Sequence, residues 1–141
     1  MKNKAIITDI QGCFTLRNGV QMPYLGLGTY KADNEQEVVD AVKGALKLGY
    51  RHIDTASAYK NEEGVGKGIK ESCVNREEIF VVTKVWNADQ GYETTLKAFD
   101  ESLNRLGLEY LDLYLIHWPV KGKYKETWKA LEYLYEQKKI R

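Results

Sequence analysis

Ile79-Phe80-Val81-Val82-Thr83, followed at once by Lys84, is the stretch on which the architecture turns. A run this apolar has no wet face, so it reads as a strand buried on both sides, the mark of a parallel sheet. Parallel strands need a crossover between them, and the flanking sequence has the helical period to supply it. Upstream, residues 62–72 carry Val65 and Ile69 one helical turn apart. Downstream, residues 93–106 line up Leu96, Phe99, Leu103 and Leu106 and stop at Gly107.

The same alternation extends in both directions. Residues 24–28 read as a first strand, and residues 35–48 as a helix with Val38, Val42, Ala45 and Leu46 on one face, ended by Gly49. Residues 51–54 form a second strand and residues 111–116 a fourth. A fourth helix over 127–138 turns Trp128, Leu131, Leu134 and Tyr135 inward. Ahead of these units, residues 13–16 and 20–22 flank Arg17-Asn18-Gly19, whose Asn-Gly pair supplies the positive φ angles of a tight hairpin turn. The expectation is an α/β fold: an N-terminal β-hairpin, then four βα units joined by right-handed crossovers.

Two architectures use such units, an open doubly wound sheet and a closed eight-unit barrel. A dinucleotide-binding open sheet predicts a glycine-rich phosphate loop after the first strand. Gly26-Leu27-Gly28-Thr29-Tyr30-Lys31 puts Lys31 where the third glycine belongs. Gly64-Val65-Gly66-Lys67-Gly68 has neither P-loop spacing nor a Ser or Thr after Lys67, so its glycines read as close helix–sheet packing. In a barrel, the residues that do chemistry sit at the C-terminal ends of the strands. Asp54, Tyr59, Lys84 and His117 all fall at or just after strand ends. The pattern predicts the first half of a (β/α)8 TIM barrel, with residues 1–141 forming a single domain.

Charge narrows the function. Lys and Arg number 21 against 20 Asp and Glu, and a formal net charge of +1 offers no field for nucleic acid or an acidic membrane. No apolar stretch approaches the roughly 18 residues of a membrane span. The N-terminal apolar run is too short for a secretion signal, so a cytoplasmic protein is expected. Cys13 and Cys73 lack metal-ligand or redox spacing; reduced, partly buried thiols and no metal are expected.

Singly, the strand-end residues have plain roles: Asp54 as a cap, Tyr59 as packing, Lys84 as surface charge, His117 as a hydrogen-bonded core histidine. Jointly they suit one reaction. Reducing a carbonyl requires hydride delivery to carbon, proton delivery to oxygen and stabilisation of the developing alkoxide. A tyrosine can donate that proton, but the ordinary pKa of about 10 is high for work near neutrality. A lysine ammonium about 4 Å away is worth about 4 kcal/mol at an effective dielectric near 20. A carboxylate keeps the lysine charged and oriented, and a neutral histidine fixes the carbonyl by a hydrogen bond. His52, inside the second strand, reads as structural.

At these positions the chain resembles the aldo-keto reductases. The resemblance rests on Gly26-Leu27-Gly28-Thr29-Tyr30, Gly49-Tyr50-Arg51-His52-Ile53-Asp54-Thr55-Ala56 and Tyr59-Lys60-Asn61-Glu62. It continues in Val82-Thr83-Lys84-Val85-Trp86 and Leu113-Tyr114-Leu115-Ile116-His117-Trp118-Pro119. It implies a catalytic tetrad in which Tyr59 donates the proton, Lys84 and Asp54 make it a better acid, and His117 orients the carbonyl. It further implies NADPH as cofactor, contacted by Thr29, Tyr30 and Asp54, and a small carbonyl substrate in a pocket of Tyr30, Trp86 and Trp118. The hairpin, residues 6–22, would cap the barrel bottom.

The same resemblance places further cofactor contacts in units beyond Arg141, so the 141-residue chain is expected to be impaired as a catalyst. Opening a barrel after its fourth strand exposes two strand edges and the apolar side chains that face the axis. The alternative to an enzyme is therefore a non-catalytic half-barrel, with a homo-oligomer formed through those edges.

Overall fold

The computed structural model describes residues 9–141. Cys13–Thr15 (β1) and Gln21–Pro23 (β2) pair antiparallel, with Gly19 at φ 85 in the turn between them. Of the hairpin expected over 6–22, residues 6–8 lie outside the described residues, and the paired strands run from Cys13 to Pro23. This hairpin lies against the N-terminal ends of the sheet strands: His52 Nδ1 is 3.1 Å from the Pro23 carbonyl, and Asn18 Nδ2 donates to the Arg141 carbonyl at 2.8 Å.

Leu27–Gly28 (β3), His52–Asp54 (β4), Phe80–Val85 (β5) and Leu113–Ile116 (β6) form one parallel sheet in chain order. Between and after them run Glu35–Lys47 (α1), Glu62–Glu71 (α2), Tyr92–Leu106 (α3) and Tyr124–Glu136 (α4). Each helix starts and stops for a local reason. Asn34 caps α1 by accepting from the Gln36 and Glu37 amides, and Gly49 leaves it at φ 100. Gly107 closes α3 in the left-handed region at φ 64, where a side chain would be strained.

The helices share one core with the sheet. Val38, Val42 and Leu46 of α1, Val65 of α2 and Phe99 of α3 pack with Ile53, Val81 and Val85. Past α4 the chain turns back, and Ile140 bridges Leu111 in parallel, beside the entrance to β6. Four consecutive βα units with parallel, in-order strands are half the content of a (β/α)8 barrel.

Four expectations change. On α4, Thr127, Ala130, Leu131 and Leu134 are buried, whereas Trp128 (56% exposed) and Tyr135 face outward. Trp128 follows Thr127 by about 100° of helix rotation, enough to leave the buried stripe, and its Nε1 donates to Glu132 instead. The α2 glycines serve helix–helix rather than helix–sheet packing. A Cβ on Gly66 would stand 2.1 Å from the Leu106 carbonyl oxygen of α3, and one on Gly68 2.8 Å from Val42 of α1. Cys73 is exposed, not partly buried, while Cys13 is half-buried; both are free thiols. Finally, β5 runs through Lys84 to Val85, so Lys84 lies within the strand rather than after it.

Candidate active site

Strand register brings the reactive groups to one end of the sheet. Gly28 pairs with Asp54, Asp54 with Val82, and Lys84 with Leu115, so Asp54 and Lys84 emerge on adjacent strands at the C-terminal edge. Lys84 Nζ donates to both Asp54 carboxylate oxygens at 2.8 Å and to the Thr55 carbonyl at 2.8 Å. The ammonium thus has an oxygen partner for each bond it can form on that side, and only 14% of its side chain is exposed.

Tyr59 reaches the same spot from the 3₁₀ turn Ser57–Tyr59, which follows β4. The turn is tied to β5 by Ser57 Oγ, which donates to the Lys84 carbonyl at 3.1 Å. The Lys84 ammonium stands 5.3 Å from the Tyr59 ring centroid. His117, just past β6, packs edge-on at 5.7 Å from the Tyr59 ring and 5.2 Å from Trp86. Asp54, Lys84, Tyr59 and His117 are therefore neighbours at one strand-end mouth.

Burial, with the Lys84 charge second, holds the His117 imidazolium below its ordinary pKa, and Asp54 opposes this more weakly. The imidazole is neutral near pH 7, the form that can donate from one nitrogen and accept on the other. A groove of about 980 Å³ opens over this mouth, lined by Tyr30, Tyr59, Trp86, His117 and Trp118, and runs on past Glu62 to Arg105. Tyr30 is 67% exposed, with its ring 5.0 Å from that of Tyr59. Trp118 is 61% exposed, and its carbonyl is held by Gln90 Nε2 at 2.6 Å.

Thr29 is placed differently from its neighbours. Its side chain is buried, and its hydroxyl donates to Thr55 Oγ1 at 2.9 Å and lies 3.4 Å from Asn61 Oδ1. The hydroxyl is committed inside the protein, which leaves Tyr30 as the side chain of that set lining the groove, with Asp54 about a third exposed beside Lys84. His52 is structural: its ring stacks edge-on with Phe80 at 5.1 Å and fills the space a Cβ on Gly26 would need. No group of His, Cys, Asp and Glu among the described residues is arranged to hold a metal ion.

Sequence reasoning passed over the network behind the mouth: Thr55, Asn61, Glu62, Thr83 and Arg105. Asn61 and Glu62 directly follow Tyr59-Lys60, which was the available signal. At a helix start, however, an Asn and a Glu read as an ordinary cap and first-turn acid. Their partners lie as far as 43 residues away and become visible only in space.

Parallel βα units with a Lys–Asp pair, a tyrosine and a neutral histidine gathered at the strand-end mouth define half of a (β/α)8 architecture with a polar cluster at its C-terminal face. The chain belongs to the aldo/keto reductase family, whose profile matches residues 24–141. It is 63% identical over 134 residues to the glyoxal reductase of Bacillus subtilis, covering 95% of this chain and 49% of that protein. It is 63% identical over 129 residues to the 9,11-endoperoxide prostaglandin H2 reductase of Trypanosoma cruzi, covering 92% and 46% respectively. Among solved structures, an aldo/keto reductase from Brucella melitensis superposes with a TM-score of 0.87 at 52% identity, over 91% of this chain and 50% of the other. The Bombyx mori aldo-keto reductase in complex with NADP superposes with a TM-score of 0.87 at 40% identity, over 92% and 48%. The chain spans about half the length of the relatives it matches.

Proposed function

We propose that this chain carries the acid–base half of an NADPH-dependent carbonyl reductase, with Tyr59 as proton donor to the carbonyl oxygen of a small aldehyde or ketone. The observation that carries the reading is the meeting of Tyr59, Lys84, Asp54 and His117 at one groove mouth. Lys84, fixed by Asp54, presents a positive charge beside the Tyr59 ring and favours loss of the phenolic proton as the carbonyl oxygen gains charge. Neutral His117 hydrogen-bonds that oxygen and selects which atom faces Tyr59. Trp86, Trp118 and Tyr30 form the apolar wall against which a small carbonyl compound lies.

The groove is open enough at Tyr30 for a planar ring to lie beside Tyr59. When bound there, NADPH supplies the hydride to the carbonyl carbon. Tyr30 and the partly exposed Asp54 would hold its nicotinamide end, while Thr29, whose hydroxyl, amide and carbonyl are all bonded internally, would shape the site from behind. With so few contacts, the 141-residue polypeptide by itself binds the cofactor weakly and turns over slowly. The relatives' names make glyoxal a suitable test substrate. The two free thiols suit a reducing cytoplasm, where we place the protein.

The experiment follows NADPH absorbance with glyoxal as substrate. Turnover that Tyr59→Phe abolishes supports the reading; turnover that survives Tyr59→Phe undiminished overturns the assignment of the donor.

A second reading is favoured by a separate observation. The outer edges of β3 and β6 are unpaired among the described residues. Beside β6 an apolar groove of about 550 Å³ runs between Leu113, Leu115, Trp128 and Ile140. Exposed strand edges next to apolar surface invite another strand. In this reading two copies of the chain associate through these edges. Light scattering across a concentration series tests it: a monomer at every concentration rules the association out.

A further inference from the structure

Of Asp54, Tyr59, Lys84 and His117, Tyr59 is the one that neither lies in a strand nor directly follows one, and the residues that hold its turn are Asn61 and Glu62. Lys60 leaves the 3₁₀ turn at φ 55, a left-handed angle that swings the chain directly into α2. Asn61 then occupies the N-cap position, where an asparagine side chain ordinarily accepts from the free amides of the first helical turn. It makes no such bond. Its Nδ2 donates instead to the Thr29 carbonyl at 2.8 Å and the Ala32 carbonyl at 3.2 Å, and its Oδ1 accepts from the Thr55 hydroxyl at 3.0 Å.

Glu62 departs just as far from the ordinary first-turn acid. Its residue exposure is 1%. Its Oε1 accepts from the Thr83 hydroxyl at 2.6 Å, and its Oε2 from Arg105 Nε at 2.7 Å and the Ser102 hydroxyl at 3.3 Å. A buried carboxylate and an abandoned helix cap each lower stability compared with the solvated alternative. Packing of α2 requires neither, because Val65 and Ile69 already seat it in the core. What the two side chains have in common is their anchorage to three successive strands: Thr29 and Thr55 directly follow β3 and β4, and Thr83 lies in β5 next to Lys84.

We propose that Asn61 and Glu62 are positioning residues for Tyr59, clamping its turn to β3, β4, β5 and α3 so that the ring keeps its place between Lys84 and His117. This rests on the reading of Tyr59 as the proton donor. The clamp closes on both sides of the turn: Ser57 holds the entry to Lys84, and Asn61-Glu62 hold the exit. A donor displaced by about 1 Å can lose about 10²-fold in rate without any change in its chemistry.

The test pairs kinetics with an activity-independent readout, the ¹³Cζ resonance of Tyr59 in tyrosine-labelled protein, assigned by its loss in Tyr59→Phe. In Glu62→Gln and Thr83→Val, kcat with NADPH and glyoxal is expected to fall about 10²-fold while KM stays within about twofold. The Tyr59 resonance is expected to move in both, and Thr83→Ser, which keeps the hydroxyl, restores both readouts. Ile69→Val, a core control, lowers the melting temperature and leaves the resonance in place. If Glu62→Gln fails to fold, Thr83→Val alone decides. An unmoved Tyr59 resonance in the folded variants overturns the proposal even where stability drops. Full activity in Tyr59→Phe would instead sink the donor reading, with the resonance still deciding whether the clamp exists.

Discussion

Lys84 Nζ lies 2.8 Å from each carboxylate oxygen of Asp54, so the pair is a two-point contact rather than a loose surface bridge. Asp54 is about a third exposed and Lys84 much less, which makes the carboxylate the hydrated partner and the ammonium the sequestered one. Removing the carboxylate therefore strands a mostly buried charge. Asp54→Asn is expected to cost about 1.5–3 kcal/mol, the range for a hydrogen bond to a charged group, read by urea denaturation. Reductase activity, where present, is expected to fall by about 10²–10⁴-fold in Lys84→Met, since acid catalysis then lacks its charge.

His117 yields a prediction with a definite sign. Its pKa is held below the ordinary 6.5 chiefly by burial and then by Lys84. Between its folded value and about 6.5, the unfolded chain binds a proton that the folded chain refuses. The contribution of His117 to stability is thus complete above about pH 6.5 and is lost as pH falls from there through the folded value. Imidazole NMR, assigned by loss of the signal in His117→Gln, is expected to give a midpoint below 6.5. Lys84→Met is expected to raise that midpoint and Asp54→Asn to lower it further; shifts in the opposite directions would contradict the charge arrangement.

What the sequence made legible were features that repeat locally. The β5 run, the helical periods of α1 and α3, and the glycine stops at 49 and 107 each follow from a few neighbouring residues and reappear in the fold. The strand-end polar residues were legible for the same reason, because a charge that closes an apolar run must leave the core at that point and face a polar mouth. The rest depended on partners distant in sequence. Nothing near Gly66 says that the Leu106 carbonyl will press on it, and nothing near Glu62 announces Arg105. Trp128 was misplaced because aromatic bulk outweighed a rotation of one residue along the helix.

Asp112 is the anchor at the opposite end of the sheet. Its carboxylate is fully buried and accepts from Arg76 Nη2 at 2.8 Å, Arg141 Nη1 at 2.8 Å and the Val81 amide at 2.9 Å. Asp112→Ala would leave two guanidinium groups and a backbone amide without their acceptor. A loss of about 3–5 kcal/mol is expected from denaturant titration. Arg141 is 44% exposed, and Arg76 remains to neutralise Asp112, so Arg141→Ala is expected to cost about 1 kcal/mol or less.

Two glycine substitutions separate packing from propensity. Gly44 lies inside α1 with nothing within 4 Å of where a Cβ would stand. Gly44→Ala is therefore expected to stabilise the chain by about 0.5–1 kcal/mol, the entropic penalty of glycine in a helix. Gly66 lies in α2 and carries the same helical preference for alanine. There, however, the new methyl would meet the Leu106 carbonyl at 2.1 Å and its α-carbon at 2.9 Å, backbone atoms that cannot rotate away. Relief requires α2 and α3 to separate along their shared contact. Overpacking of this kind costs about 1–3 kcal/mol, occasionally more, and outweighs the gain in propensity. Because Glu62 joins the same two helices through Arg105, the separation should also disturb the turn that carries Tyr59. Thermal melts are expected to move in opposite directions for Gly44→Ala and Gly66→Ala; a Gly66→Ala variant as stable as the wild type would show that the α2–α3 contact is looser than its geometry indicates.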